Sequence, residues 1–273
     1  MKKHFSLIAA LLVVAGCSQA VLETTGTAVE PEWGEPIEAV ETIASDTDEE
    51  NLVLPEPETV AVPDMAPGAR LLPVDEGIDN ESFNNFRARL IEAVENQDTA
   101  FLLEVVHPDI QNSFGRSNGI ENFKQRWNID AADSELWLEL AAVLKLGGTF
   151  ARAHSIEANT DVFVAPYVFT NFPSEYSAFE HAAIIGGGVI LRAEPTVDSE
   201  MLATLSYHIV SVDRSQSIHD ETHPNRVVWA KVATTEGKAG YVAGQYVRRP
   251  VDYRAFFENQ AGKWTMTFFA AGD

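Results

Sequence analysis

The chain has 273 residues and a single cysteine, Cys17. No intrachain disulfide is therefore available, and stability has to come from buried apolar surface. Basic residues are also scarce, with 19 Lys and Arg against 41 Asp and Glu and a formal net charge of −22. That balance argues against a nucleic-acid surface, which needs clustered Lys and Arg to meet phosphates. Beyond the amino-terminal stretch no apolar run approaches about eighteen residues, so no spanning helix is expected. Motifs for acyl transfer, phosphoryl transfer and zinc hydrolysis are missing too, which weighs against an enzyme. No cofactor is expected.

What is present starts with Lys2 and Lys3, followed by an apolar run from Phe5 that closes with Leu11-Leu12-Val13-Val14-Ala15-Gly16-Cys17. A basic start and roughly ten apolar residues read as a secretory signal, too short to span a bilayer. Val14-Ala15-Gly16-Cys17 resembles the lipobox of bacterial lipoproteins. The resemblance implies removal of residues 1–16, thioether lipidation of Cys17 and acylation of the new amino terminus. Several acyl chains on one residue hold a protein firmly to a membrane. With Cys17 lipidated, the mature fold has no thiol nucleophile. Ser18 in place of Asp after the cysteine is similar to lipoproteins directed to the outer membrane, and implies its periplasmic face. The alternative is an ordinary secretory signal with an incidental cysteine.

Residues 17–77 then read as a disordered tether. Seven prolines, from Pro31 to Pro73, and many carboxylates accompany Arg70 as its one base and Trp33 as its one aromatic residue. Such a composition buries too little apolar surface to offset the entropy of ordering. A flexible chain of this length spans roughly 40–45 Å and gives a folded head reach. The acidic cluster Asp46, Asp48, Glu49 and Glu50 reads as solvated.

Residues 78–185 predict helices followed by strands. Asp79 or Asn80 caps a helix with Phe83, Phe86, Leu90, Ile91 and Val94 on one face. Asp98 caps a second, ending before Pro108. Asn118-Gly119 opens a third with Phe123 and Trp127, and Asp133 caps a fourth with Leu136, Trp137, Leu140 and Leu144. The run from Phe86 through Leu90, Asp98, Pro108-Asp109-Ile110, Phe114-Gly115 and Phe123 to Trp127 resembles the opening of the nuclear-transport-factor-2-like fold. That resemblance implies helices laid across a curved antiparallel sheet and a conical pocket, for which His107, Asp109 and Arg116 are the polar candidates. The plainer reading of Pro108-Asp109 is a turn. Thr149–Ile156 and Asp161–Phe169 read as strands joined at 157–160, with Pro166 at an edge or bulge and His154 half-buried. Tyr176–Ile185 reads as a further strand.

From Gly186 the segments shorten. Val189, Leu191-Arg192, Pro195, Leu205, Trp229, Lys231-Val232, Gly237 and Gly240-Tyr241-Val242 resemble the bacterial Src-homology-3 domain, which implies a small five-stranded barrel over 186–250 that binds cell-wall peptide or protein partners. Tyr207, Trp229, Tyr241 and Tyr246 are the aromatic candidates to face a ligand. Trp229 sits among Val227, Val228 and Val232, so core packing is its competing reading. Asp213–Asn225 departs from the pattern and reads as a mobile loop. Its His219 and His223 share a face only on a helix, so no metal site is assigned.

Residues 251–273 close the chain with a hairpin turning at 259–262, with Trp264, Met266 and Phe268 on one face. A lone hairpin is unstable in water, so it is expected to join the sheet begun by 149–169. The expected fold is α+β, with short helices packed on an antiparallel sheet and a small barrel inserted or docked. The expected function is a lipid-anchored cell-envelope protein whose non-catalytic head binds peptidoglycan or a protein partner. An enzyme using the helical domain's pocket, or a structural or sensory envelope subunit, are the alternatives.

Overall fold

A computed structural model describes residues 64–151 and 161–272; Cys17, Trp33, the acidic cluster at 46–50, His154 and the turn at 157–160 lie outside them. In chain order come α1 (Glu81–Glu95), α2 (Thr99–Val105), β1 (Val106–Gln111), α3 (Ile120–Trp127), α4 (Leu136–Lys145), β2 (Thr149–Ala151), β3 (Val162–Ala165) and α5 (Tyr167–Thr170). There follow β4 (His181–Ile184), β5 (Val189–Arg192), β6 (Met201–Leu205), β7 (Ile209–His219), β8 (Val227–Thr234), β9 (Ala239–Ala243), β10 (Val247–Arg248), β11 (Arg254–Gln260) and β12 (Lys263–Ala270). The fold is mixed α+β, and no helix among the described residues is long and apolar enough to cross a membrane.

Local chemistry sets the helix starts. The Asn80 side chain accepts the Phe83 N–H (3.0 Å), and Asp98 accepts the Phe101 N–H (3.0 Å), each satisfying a donor that the first turn leaves unpaired. The third helix opens at Gly119 in a left-handed conformation (φ 89°). The fourth begins after Glu135, not after Asp133, and has no side-chain capping bond at that position. Pro108 and Asp109 belong to strand β1 and not to a turn, because β1 pairs in parallel with β12 and buries Val106 and Ile110.

Two sheets result. The first has the order β1-β12-β11-β3-β2, antiparallel except at β1, and the second, curled into a half-barrel, has the order β10-β4-β7-β8-β9-β5-β6. The second therefore has seven strands where five were expected. It also takes in β4, the only stretch of Tyr176–Ile185 that is a strand. Strand β3 lies between β11 and β2 and stops at Ala165, so Pro166 sits just past the ladder, not at an edge, and residues 167–170 turn into helix. Strand β11 pairs with β3 (Ala255 opposite Ala165), which brings the closing hairpin beside the first sheet's strands.

The main core lies between the helices and the first sheet. Phe83 is fully buried, with its ring centroid 4.1 Å from Phe163 and 5.0 Å from Trp264; burying a side chain of this kind contributes about 1.5–3 kcal/mol. Trp264, Met266 and Phe269 join this core, whereas Phe268 stacks on Phe256 on the opposite face. The expected Trp264–Met266–Phe268 stripe is broken by a bulge. The register jumps from Phe256 opposite Phe268 to Phe257 opposite Met266, so Thr267 is the extra residue and the alternation shifts phase after it.

Residues 64–77, assigned to the tether from composition, belong to the folded body. Met65 bridges to Thr204 and Arg70 to His208, and Ala66 and Leu71 are buried. His208 is fully buried. It accepts the Ser206 N–H at Nδ1 (2.8 Å), while its Nε2 lies 2.9 Å from the Ala66 carbonyl. A carbonyl only accepts, so Nε2 carries the proton. Asp75 then meets Arg87 of α1 at 2.6 Å. Where the two sheets adjoin, Leu71, Tyr167, Val168, Ala183 and Ile209 form a small core, and Arg248 meets Glu139 of α4 at 2.7 Å.

Two measurements test this description. The hairpin turn Ala261-Gly262 has φ of 53° and 88°, the pair of left-handed residues that favours Asn-Gly. Ala261→Asn is expected to raise stability by about 1 kcal/mol, read from the denaturant midpoint at unchanged m-value. Burial pushes the Tyr167 phenol up to about 12 from 10, with Tyr207 adding to the shift. The folded state thus holds a proton that the unfolded chain releases, so stability is lost as pH rises from 10 to about 12, by roughly 3 kcal/mol. Tyr167→Phe is expected to remove that part of the alkaline loss in matched unfolding curves.

Candidate ligand-binding face

Strand β8 alternates with period two. Ala230, Val232 and Thr234 are buried in the half-barrel, which leaves Trp229, Lys231 and Ala233 on the outer face. The ladders extend that face, with Ala243 opposite Trp229, Tyr241 opposite Lys231, and Arg192 of β5 opposite Tyr241. Trp229 is half-buried on this face, not a core residue as its valine neighbours suggested. Asp213–Asn225 is not a loop but mostly the extended end of the β7–β8 hairpin, and it brings Ile218 opposite Trp229.

A groove of about 260 Å³ on this side of the half-barrel is lined by Trp229, Tyr246, Ile190, Val197 and Arg192 together with Gly187 and Gly188. A Cβ at Gly188 would meet nothing within 4 Å, and its φ of 66° is a conformation glycine adopts without strain. Val197 is 67% exposed and Tyr246 38%, so apolar surface faces solvent here. A second depression of about 190 Å³ lies across Ser211, Asp213, Lys231 and Ala239 on the same face.

Two cations stand on this face. The half-buried Arg192 donates from Nη1 to the Ser199 carbonyl (2.8 Å), and Lys231 Nζ lies 4.4 Å from the Tyr241 ring centroid. Neither has a carboxylate within ion-pair distance among the described residues. Asp213 is opposite Lys231 in register, but its carboxylate accepts from the Ser215 hydroxyl (2.6 Å) and from Gln216. Those bonds, the Ser215 hydroxyl first, hold Asp213 below the usual carboxylate range. Residues 186–250 contain seven basic and seven acidic residues within a chain of net charge −22. This segment is thus neutral in formal count, unlike the chain as a whole.

Of the four aromatic candidates, Trp229 and Tyr246 wall the groove and Tyr241 lies beside it under Lys231. Tyr207 is apart from them. It occupies the β6–β7 turn with a φ of 57°, and it backs Gly187 with its ring. Composition and motif pattern did not point to Arg192, Ile190 and Val197 as groove residues, nor to Lys231 as their neighbour on the same face. The period-two alternation that pairs Trp229 with Lys231 was the signal available.

The other candidates are not brought together. His107 and Asp109 lie two residues apart on edge strand β1, where the Asp109 N–H donates to His107 Nδ1 (3.1 Å), and Arg116 is exposed in the following loop. Neither groove includes them. At the β7–β8 tip Asp220 is pulled down to about 2, first by the Thr222 hydroxyl (2.7 Å), then by the Thr222 and His223 amides. His219 Nδ1 lies 2.8 Å from the Pro224 carbonyl. Among the described residues no group of three or more His, Cys, Asp or Glu could hold a metal ion.

No family model, curated protein or solved structure matches this chain. If the outer face is a surface feature and not a support of the fold, Lys231→Ala shifts stability by less than about 1 kcal/mol, the worth of an exposed cation–π contact. Thermal unfolding of the variant checks this.

Proposed function

We propose that this chain is a lipid-anchored cell-envelope protein with a non-catalytic binding head. Residues 1–16 are the signal, Cys17 carries the lipid, and the stretch after it gives the head reach from the periplasmic face of the outer membrane. Strands β5 to β9 are read as a Src-homology-3-like barrel whose outer face recognises peptidoglycan or a protein partner. One observation carries this reading. Trp229, Tyr246 and Tyr241 gather on one face with Arg192 and Lys231, neither ion-paired among the described residues, around a solvent-open groove. Aromatic anchors beside an arginine are the residue types that dominate recognition surfaces. Core packing alone gives no reason for two cations without an ion pair among the described residues to stand beside half-exposed aromatic rings.

Co-sedimentation of the unlipidated chain, residues 18–273, with purified peptidoglycan tests the wall reading. Saturable pelleting is expected, weakened about tenfold or more by Trp229→Ala, on the scale of a recognition anchor. Absence of pelleting at both low and moderate salt overturns wall recognition and directs attention to a protein partner, sought by crosslinking in the envelope.

A further inference from the structure

The chemistry of the groove narrows what it takes. Its side chains are aliphatic or aromatic apart from Arg192, the Trp229 indole N–H and the Tyr246 hydroxyl. No Asp, Glu, Asn, Gln, Ser or Thr lines it. A sugar ring would bring several hydroxyls and find few side-chain partners, so the lining offers it little beyond stacking on the aromatic rings. A polyphosphate would need more cations than two. An apolar side chain next to a single carboxylate fits both parts of the lining.

Arg192 is the group to receive the carboxylate. Its planar fork matches a carboxylate in two parallel hydrogen bonds, and only one of its nitrogens is engaged by a described partner, the Ser199 carbonyl. Lys231, on the far side of Tyr241 from Arg192, adds positive potential along the approach. We propose that the groove binds the carboxyl-terminal end of a short peptide, with its carboxylate on Arg192 and its last apolar side chain between Trp229 and Tyr246. This rests on the reading of the outer face as the ligand site. It makes Arg192 a specificity residue that selects free peptide ends over amides and sugars.

The test is an NMR titration of the isotopically labelled full chain, following the Trp229 indole N–H and the Arg192 Nε–H. The probes are acetyl-Ala-Leu with a free carboxylate, the same dipeptide as its carboxamide, and N-acetylglucosamine. Both resonances are expected to shift saturably with the carboxylate, and at least about tenfold more weakly with the amide. Arg192→Gln is expected to abolish the preference, and Arg192→Lys, which keeps the charge without the fork, to retain part of it. Equal response to acid and amide, a stronger response to the sugar, or no response at all overturns the proposal. So does an unchanged preference in Arg192→Gln. The two readings fail separately. Pelleting with peptidoglycan but no selective shift removes the peptide-end assignment alone, whereas selective shifts without pelleting remove wall recognition alone.

Discussion

Ala165 and Ala255 face each other in the β3–β11 ladder, and that one register organises the rest of the chain. Everything from Pro166 to Tyr253 leaves the first sheet at one strand and returns at its neighbour, strands about 4.8 Å apart. Closing so long a loop costs entropy that grows only logarithmically with its length. The cost is offset on the far side of the closure, where β11 and β12 deliver Phe257, Trp264, Met266 and Phe269 to the core that the helices have begun. Neither the helices nor the closing hairpin buries its apolar face without the other. The strands that leave and return, β4 and β10, pair with each other in the second sheet. Arg248 then holds the crossing, donating to the Tyr253 carbonyl (2.6 Å) and meeting Glu139 of α4. Removing one partner of so buried a pair is far costlier than the pair's net worth suggests, because the remaining charge is stranded.

The stretch from Asp64 to Gly77 adds a second tie, of different character. It runs from the edge of the half-barrel at Thr204, past the buried ring of His208, to the Asp75–Arg87 pair on α1. Glu76 completes the path by accepting the Phe150 N–H of β2 (2.7 Å). One short segment thus touches both sheets and the first helix. Average composition hides this, because prolines and acids dominate the count while a few well-placed groups supply the contacts. Ala66 and Leu71 give the apolar anchoring, and the carboxylates of Asp75 and Glu76 are engaged, not solvated.

The same distinction explains what was legible in the sequence. The helices were, because Asn80 and Asp98 are local signals whose effect does not depend on distant residues. The α+β class was legible for a related reason, the change from helical spacing to alternation after Gly148. Strand β12 was legible as a strand but not in its facing, since the bulge at Thr267 is a property of the pair β11–β12. The β7–β8 extension was hidden by its polarity. Asp213, Ser215 and Ser217 read as loop residues, yet they bond one another across a register shift, and Ser217 Oγ accepts the Lys231 N–H (3.1 Å). The face around Trp229 needed the strand order, because Arg192 and Lys231 are distant in sequence and come together only through β9.

That order also separates the outer face from the core. On β8 and β9 the inward residues Ala230, Val232, Gly240 and Val242 close the half-barrel core, and Gly240 sits so near the Arg192 carbonyl that a Cβ would lie 2.5 Å from it. Those positions are fixed by packing, where even one added carbon displaces backbone. The outward residues between them meet solvent and each other, so core packing does not fix their identity. Across β5, β9 and β8 the outer face brings together Arg192, Tyr241, Lys231 and Trp229, with neither cation ion-paired among the described residues, and none of these four is required to close the core.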